Sequence, residues 1–327
     1  MWMSTMIGLP RRIQHQRLIP KAYVANSQTQ DRTVVRQIFS KRGTSLVEMD
    51  PLKWQSRPEL DRPVLIAAFA GWNDAGDSAT TAVQFLSSTW NATQFAEIDP
   101  EEFFDFTSTR PVLRLEEGVI RHIQWPSNRL SRAAIPERGQ DIVFLDGMEP
   151  QLRWRTFSNA VIECAKAIDV SMVVTLGALL ADVPHTRPAP VNGTTSSTTL
   201  TDGLGLQMSR YEGPTGITGV LHETCRQAGI ESASLWAAVP HYVSQTPSPK
   251  AALALVQRTA SLIDTPVDTA ALETASIEYE QQVSSIVNED EDMVSYVAQL
   301  EENNDAERLQ NDNIVAEAER FLRDQES

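Results

Sequence analysis

Two short runs, Val183-Pro-His-Thr-Arg187 and Val239-Pro-His-Tyr242, each carry a histidine just past an apolar segment. Ligand sites of open α/β sheets gather at the carboxyl ends of strands. His185 and His241 are therefore candidates for holding a ligand, with Tyr242 beside the second. Arg187 carries a planar guanidinium that can grip an anion through two parallel hydrogen bonds. A plainer role stays open for both histidines, in which the ring nitrogens satisfy loop carbonyls. Gly213-Pro-Thr-Gly216, which contains Thr215, opens a helical stretch whose unpaired N–H groups would also receive an anion.

A second constellation is Gly71-Trp-Asn-Asp-Ala-Gly-Asp-Ser78, which has the glycine spacing of a phosphate-binding loop. It places Asp77 where that loop needs a lysine, and Asp74 inside the turn. Two carboxylates at the positive end of a helix argue against a nucleotide P-loop. Two readings remain. In one, Asp74 caps a strand-to-helix turn with Asp77 as its capping-box partner. In the other, Trp72, Asn73 and Asp74 line a pocket. An enzyme built on that pocket would use Asp74 or His241 as general acid and Arg187 to hold an oxyanion or phosphate.

Other motifs are incomplete. His222-Glu223 begins like a zinc-protease helix, but Arg226 stands where the second histidine belongs. His222 then reads as an ordinary helix-surface residue. No Gly-x-Ser-x-Gly elbow occurs. Cys164 and Cys225 fall on apolar helix faces and read as buried, inert thiols. Neither a metal nor a cofactor is expected.

The elements that must position these residues are legible in the apolar pattern. Val64–Ala70 is a continuous apolar run between Pro63 and Gly71, as in a buried parallel strand. Ala79, Ala82, Val83, Leu86 and Trp90 follow at helical spacing. Val112–Leu115 and Val119–Trp125 flank a turn at Glu116-Glu117-Gly118 and predict a hairpin. Strands are expected at 141–145, 170–176 and 230–239, and helices at 151–168, 216–228 and 249–263. Gly229 is a natural C-cap, and Ser248-Pro249 an N-cap followed by proline at the first helical position. Residues 180–215 read as a long loop with short extended pieces, a kind of loop that is usually functional. The alternation predicts a three-layer α/β/α sandwich on a mainly parallel sheet. Beyond Pro266, one apolar stripe (Leu272, Ala275, Tyr279, Val283, Ile286) and a second (Met293, Val297, Leu300) flank the acidic break 288–292 and need a surface to cover them.

Composition narrows the classes further. With 41% hydrophobic residues, the 327-residue chain has apolar material for a large core. It contains no run of 18 apolar residues that would span a membrane. A formal net charge of −15 repels phosphate backbones, so no nucleic-acid partner is expected. The two cysteines form neither a disulfide framework nor a CxxC pair, which suits a reducing, cytoplasmic compartment. The charge is uneven: residues 1–42 carry eight basic side chains against one acid, and residues 264–327 carry 18 acids against three bases. These ends read as appendages. The expected organisation is a basic, disordered extension (1–48), an α/β domain (49–263), an acidic helical appendage (264–302) and a frayed acidic tail (303–327).

Taken together, Phe69-Ala-Gly-Trp-Asn-Asp-Ala-Gly76, Gly177-Ala-Leu-Leu-Ala-Asp-Val-Pro-His-Thr-Arg-Pro188, Gly213-Pro-Thr-Gly-Ile217 and Ala238-Val-Pro-His-Tyr242 with Thr246-Pro247 resemble the proteasome assembly chaperone family, of the second-chaperone type and in its bacterial branch. The resemblance covers about residues 50–302. It implies a sandwich similar to purine nucleoside phosphorylases, with a C-terminal helical appendage, and a homotrimer. It also implies a non-enzymatic, chaperone-like interaction protein with a protein client. The alternative is a phosphorylase- or nucleosidase-like enzyme, or a small-molecule binder, acting on a glycosidic or nucleoside-like ligand. Relatives that dock on proteasomes end in a hydrophobic residue, a tyrosine and one more residue. This chain ends Arg323-Asp-Gln-Glu-Ser327 and departs from that pattern.

Overall fold

The computed structural model describes residues 50–306, apart from 117–119, 136–139, 196, 202–204 and 210. The expected basic extension, the hairpin turn and most of the acidic tail lie outside the described residues. In chain order the strands are β1 (Leu52–Trp54), β2 (Val64–Ala70), β3 (Thr93–Ile98), β4 (Val112–Glu116), β5 (Ile120–Gln124), β6 (Asn128–Ile135), β7 (Gln140–Met148), β8 (Met172–Ala181), β9 (Val191–Thr195), β10 (Gln207–Met208) and β11 (Glu231–Pro240). The helices are α1 (Ser78–Thr89), α2 (Trp154–Ala167), α3 (Thr198–Thr201), α4 (Ile217–Ala228), α5 (Pro249–Leu262), α6 (Ala270–Val287) and α7 (291–306).

One nine-stranded sheet organises the molecule, in the order β1-β3-β6-β7-β2-β8-β11-β9-β10. The apolar run after Pro63 becomes β2, and it sits in the middle, parallel to both neighbours. Parallel order is confined to β7, β2, β8 and β11, with the short β9–β10 pair at one edge. The outer strands β6, β3 and β1 on one side pair antiparallel, as does β9 with β11 on the other. The sheet is therefore mixed and not mainly parallel as expected. Parallel strands need a crossover: α2 carries the chain from β7 over β2 to β8, and α4 leads into β11 beside β8, whereas strands joined by short turns fold back.

Successive β2 side chains enter opposite layers, as a strand's period of two requires. Ile66 and Ala68 pack with Val174, Leu235, α1 and α5 on one face. Leu65, Ala67 and Phe69 pack with Val143, Phe157, Val161, Ile217 and Leu221 on the other, under α2 and α4. This is the expected three-layer sandwich, and each fully buried Leu, Ile or Phe contributes about 1.5–3 kcal/mol of transfer free energy. Ser248 caps α5 by accepting the Ala251 N–H, with Pro249 at the first helical position. Gly229 ends α4 in the left-handed conformation. Cys164 and Cys225 are buried between the layers, and burial pushes both thiols up to about 12.

The C-terminal helices form a third, smaller apolar cluster. Tyr279, Val283 and Val287 of α6 meet Val297 of α7, with Tyr242, Val243 and Met293 packed against them. The first stripe thus ends at Val287, a step of four from Val283, while Ile286 is exposed. Helix α7 runs on to 306, past the expected boundary at 302. Apart from the main sheet stands the predicted hairpin, β4 paired antiparallel with β5.

Candidate functional site

The turn after β2 supplies the first wall of a site. Its backbone stays close to the sheet: the Asn73 carbonyl accepts the Ala178 N–H at 2.8 Å, and Asp74 forms a parallel bridge with Ala178. Gly76 takes a left-handed conformation (φ 58°), which lets the chain turn into a short 3-10 segment, Ala75–Asp77, before α1. Asp74 is buried and reaches past that segment. Its Oδ1 accepts the Ala79 and Thr80 N–H groups at 2.6 and 3.3 Å, and its Oδ2 accepts the Thr80 hydroxyl at 2.5 Å. Asp74 therefore caps α1 from upstream of the segment. Asp77 is the residue that directly precedes the helix, and its side chain makes no cap bond, so the expected capping box does not form. Burial raises the Asp74 pKa above the usual carboxylate value, against the lowering effect of those three hydrogen bonds.

Asn73 is also buried, and its Nδ2 donates to Glu149 Oε1 at 3.0 Å. The same Glu149 oxygen accepts the Ile217 N–H at 2.9 Å. The helix N-terminus after Gly213-Pro-Thr-Gly216 does receive an anion, but the anion is a carboxylate of the chain itself. Gly216 is required by this hub, since a Cβ there would stand 2.1 Å from Asn73 Nδ2.

These walls enclose a cavity of about 840 Å³. Its floor is a polar stretch of β11 and β9 on the α4 side of the sheet. Ser234 and Trp236 lie there beside their register partners Thr194 and Asn192. Trp72, Leu180, Tyr211 and the segment 244–247 close the sides, and α4 contributes Gly219 and His222. Ser234 Oγ accepts the Trp236 Nε1–H at 2.9 Å and lies 2.9 Å from the Thr175 hydroxyl. Both His222 ring nitrogens are buried and have no hydrogen-bond partner among the described residues. Burial lowers the His222 pKa, so the ring is neutral near pH 7. His222 is thus a wall of the cavity, not the ordinary surface residue expected.

Of the eight residues singled out from the sequence, Trp72, Asn73, Asp74 and Thr215 line this cavity. His185, Arg187, His241 and Tyr242 lie apart from it and hold the C-terminal helices. His185 Nδ1 is 2.8 Å from the Tyr242 hydroxyl and Nε2 is 2.9 Å from the Ser284 hydroxyl of α6. The Tyr242 hydroxyl also accepts the His185 N–H at 2.9 Å. Burial and the nearby Lys250 ammonium lower the His185 pKa. Arg187 makes its two parallel bonds to Asp305, at 2.9 and 2.8 Å, and lies 3.5 Å from Glu301. The guanidinium expected to grip a free anion is occupied by α7. His241 pairs with Asp182 at 3.1 Å and meets the Tyr296 ring edge-on. Among the described residues there is no group of three His, Cys, Asp or Glu side chains placed to hold a metal, and no helix is long and apolar enough to cross a membrane.

Sequence reasoning passed over Tyr211, Trp236 and Glu149, and read His222 as a helix-surface residue. One signal was present: Ser232, Ser234 and Trp236 alternate with Ala233, Leu235 and Ala237, so an interior strand carries a polar face. In a three-layer sandwich, a polar face on an interior strand marks sheet surface that is not packed into an apolar layer.

Known proteins place these features in context. No curated protein matches the chain. Among solved structures, a PAC2 family protein from Streptomyces avermitilis is 45% identical, with a TM-score of 0.68, covering 72% of this chain and 99% of that one. A proteasome-assembly chaperone homologue from Mycobacterium tuberculosis is also 45% identical, with a TM-score of 0.66 and the same coverage. An archaeal proteasome activator from Pyrococcus furiosus shares the fold at 15% identity and a TM-score of 0.59, over 72% of this chain and 97% of its own. The PAC2 family model matches residues 68–287, which include both the cavity walls and most of the helix clamp. The chain belongs to the PAC2 family.

Proposed function

We propose that this protein is a non-enzymatic, chaperone-like interaction protein that works as a homotrimer in the cytoplasm and holds a protein client. The observation that carries the reading is the β4–β5 hairpin. It is a two-stranded ribbon outside the main sheet, with Leu113, Leu115, Ile123 and Trp125 all exposed, Leu115 at 61%. An isolated two-stranded hairpin is marginally stable in water, and contiguous exposed apolar side chains mark protein interaction sites. The same reading accounts for Ile277 and Ile286 on the outer side of α6. Kinship with a proteasome-assembly chaperone homologue supports a protein client. The spent hydrogen-bonding capacity of Arg187 argues against the oxyanion- or phosphate-holding role that the enzyme would need.

Sedimentation equilibrium tests this. The expected mass is three times the 36.3 kDa of one chain. Leu113→Asp combined with Leu115→Asp, on an exposed ribbon, should leave the domain folded and shift the mass to that of a monomer or abolish client capture. A wild-type protein that sediments as a 36.3 kDa monomer would reject the trimer.

A further inference from the structure

We infer that the cavity between the β2 turn, the β11–β9 floor and α4 is a binding site for a ring-bearing small molecule that carries no negative charge. Its volume of about 840 Å³ lies within the range of about 300–1,000 Å³ typical of small-molecule sites. Three aromatic side chains, Trp72, Tyr211 and Trp236, border it, and Trp72 is 67% exposed at the rim. Large rings at a cavity wall suit another ring by stacking or edge contacts.

The polar groups narrow the class. A neutral imidazole has one donor and one acceptor nitrogen. Those of His222 are both buried and without a partner among the described residues. An unsatisfied buried polar group costs free energy until something pairs with it. The two nitrogens point in divergent directions and lie below the cavity surface, so an amide or heterocycle edge would pair with one of them once the ring turns toward it. The only charged side chains among the described lining residues are Asp74 and Asp77, both acidic. No Lys or Arg among them offsets this, and the N-termini of α4 and α1 at the wall are already taken by Glu149 and Asp74. A phosphate or carboxylate would meet like charge in a partly dry site. The site thus differs in kind from a phosphorolytic one. It is independent of the hairpin and of the trimer.

A matched series tests the charge rule directly, with saturation-transfer NMR on the full chain. Indole-3-acetamide, tryptamine and indole-3-acetate share one ring and differ in charge. The amide and the amine should bind saturably, and the acetate about fivefold or more weaker, the factor one like charge at about 4 Å exerts even in bulk water. Asn192→Trp fills the cavity from an exposed floor position and should abolish the amide signal. His222→Phe keeps the ring and loses both nitrogens, and should weaken amide binding about 3–10-fold. Unchanged binding in both variants, tightest binding by the acetate, or no binding of any of the three overturns the inference. Because these probes read the cavity alone, their failure leaves the sedimentation result standing, and the reverse also holds.

Discussion

The strand ends of this molecule carry two groups of chemically similar residues with opposite fates. Around the cavity, Asn73, Asp74 and Thr215 stand beside aromatic rings that face open space. Around the C-terminal helices, His185, Arg187, His241 and Tyr242 turn their polar atoms onto one another and onto Ser284, Asp182 and Asp305. Both groups follow strands, where binding residues are sought. Residue type and strand-end position are therefore insufficient to mark a site. What separates the two is which part of the chain takes up the hydrogen bonds: α1 and Glu149 for Asp74 and Asn73, which leaves the cavity open beside them, and the C-terminal helices for His185 and Arg187.

The largest effect should come from the cavity wall. Gly216→Ala forces a methyl group toward Asn73 Nδ2, a position 2.1 Å away, and so strains the hub that joins the β2 turn, Glu149 and α4. The expected loss is about 1–3 kcal/mol, read from the urea midpoint. An unaffected midpoint would mean that the wall yields, and that the cavity is less firmly built than the clamp.

Asp74 comes next. Replacement by Ala should cost about 0.5–2 kcal/mol, and Asn should recover most of it because its oxygen still accepts the Ala79 N–H. The pH dependence gives a second check. With its folded pKa raised above 3.8, Asp74 holds more proton folded than unfolded within that window, so its ionisation lowers stability as pH rises through it. Asp74→Asn should remove this slope. If Asn is as damaging as Ala, the carboxylate has a duty beyond capping.

The clamp should respond more weakly and locally. His185, with a folded pKa below 6.5, holds less proton folded than unfolded just under that pH. Its contribution is complete above pH 6.5 and is lost as pH falls toward the lowered value, the opposite sign to Asp74. Arg187→Met removes the Asp305 and Glu301 contacts, and should speed amide exchange along 291–306 while barely moving the global midpoint. Global unfolding in step with that exchange would make the clamp and the domain one cooperative unit.

The sequence revealed most where one physical signal dominated. β2 is a continuous apolar run, Gly229 suits a left-handed helix end, and Ser248-Pro249 favours a helix start, so residue order alone makes these features visible. β6 escaped because its buried Leu130 and Ala133 are interleaved with the exposed Arg129 and Arg132, giving a half-exposed strand the look of a polar loop. β9 escaped for a different reason: Val-Asn-Gly-Thr-Thr has almost no apolar content, since one of its faces borders the cavity. Gly177 looked like the end of β8 but lies within it, beneath the Trp236 ring. The eight singled-out residues could not be sorted from sequence, because the helices that claim Arg187 and His185 arrive about a hundred residues later.

The seven residues from His241 to Pro247 belong to both regions. His241 and Tyr242 touch the Tyr296 ring on α7, while 244–247 close the cavity. The span therefore joins the cavity wall to the seat of the C-terminal helices. An occupant that moved this span as a unit would alter the free energy of seating the C-terminal helices. Linkage makes that influence mutual and equal: a partner that pulls on the helices changes the cavity's affinity by the same factor that the occupant changes the partner's.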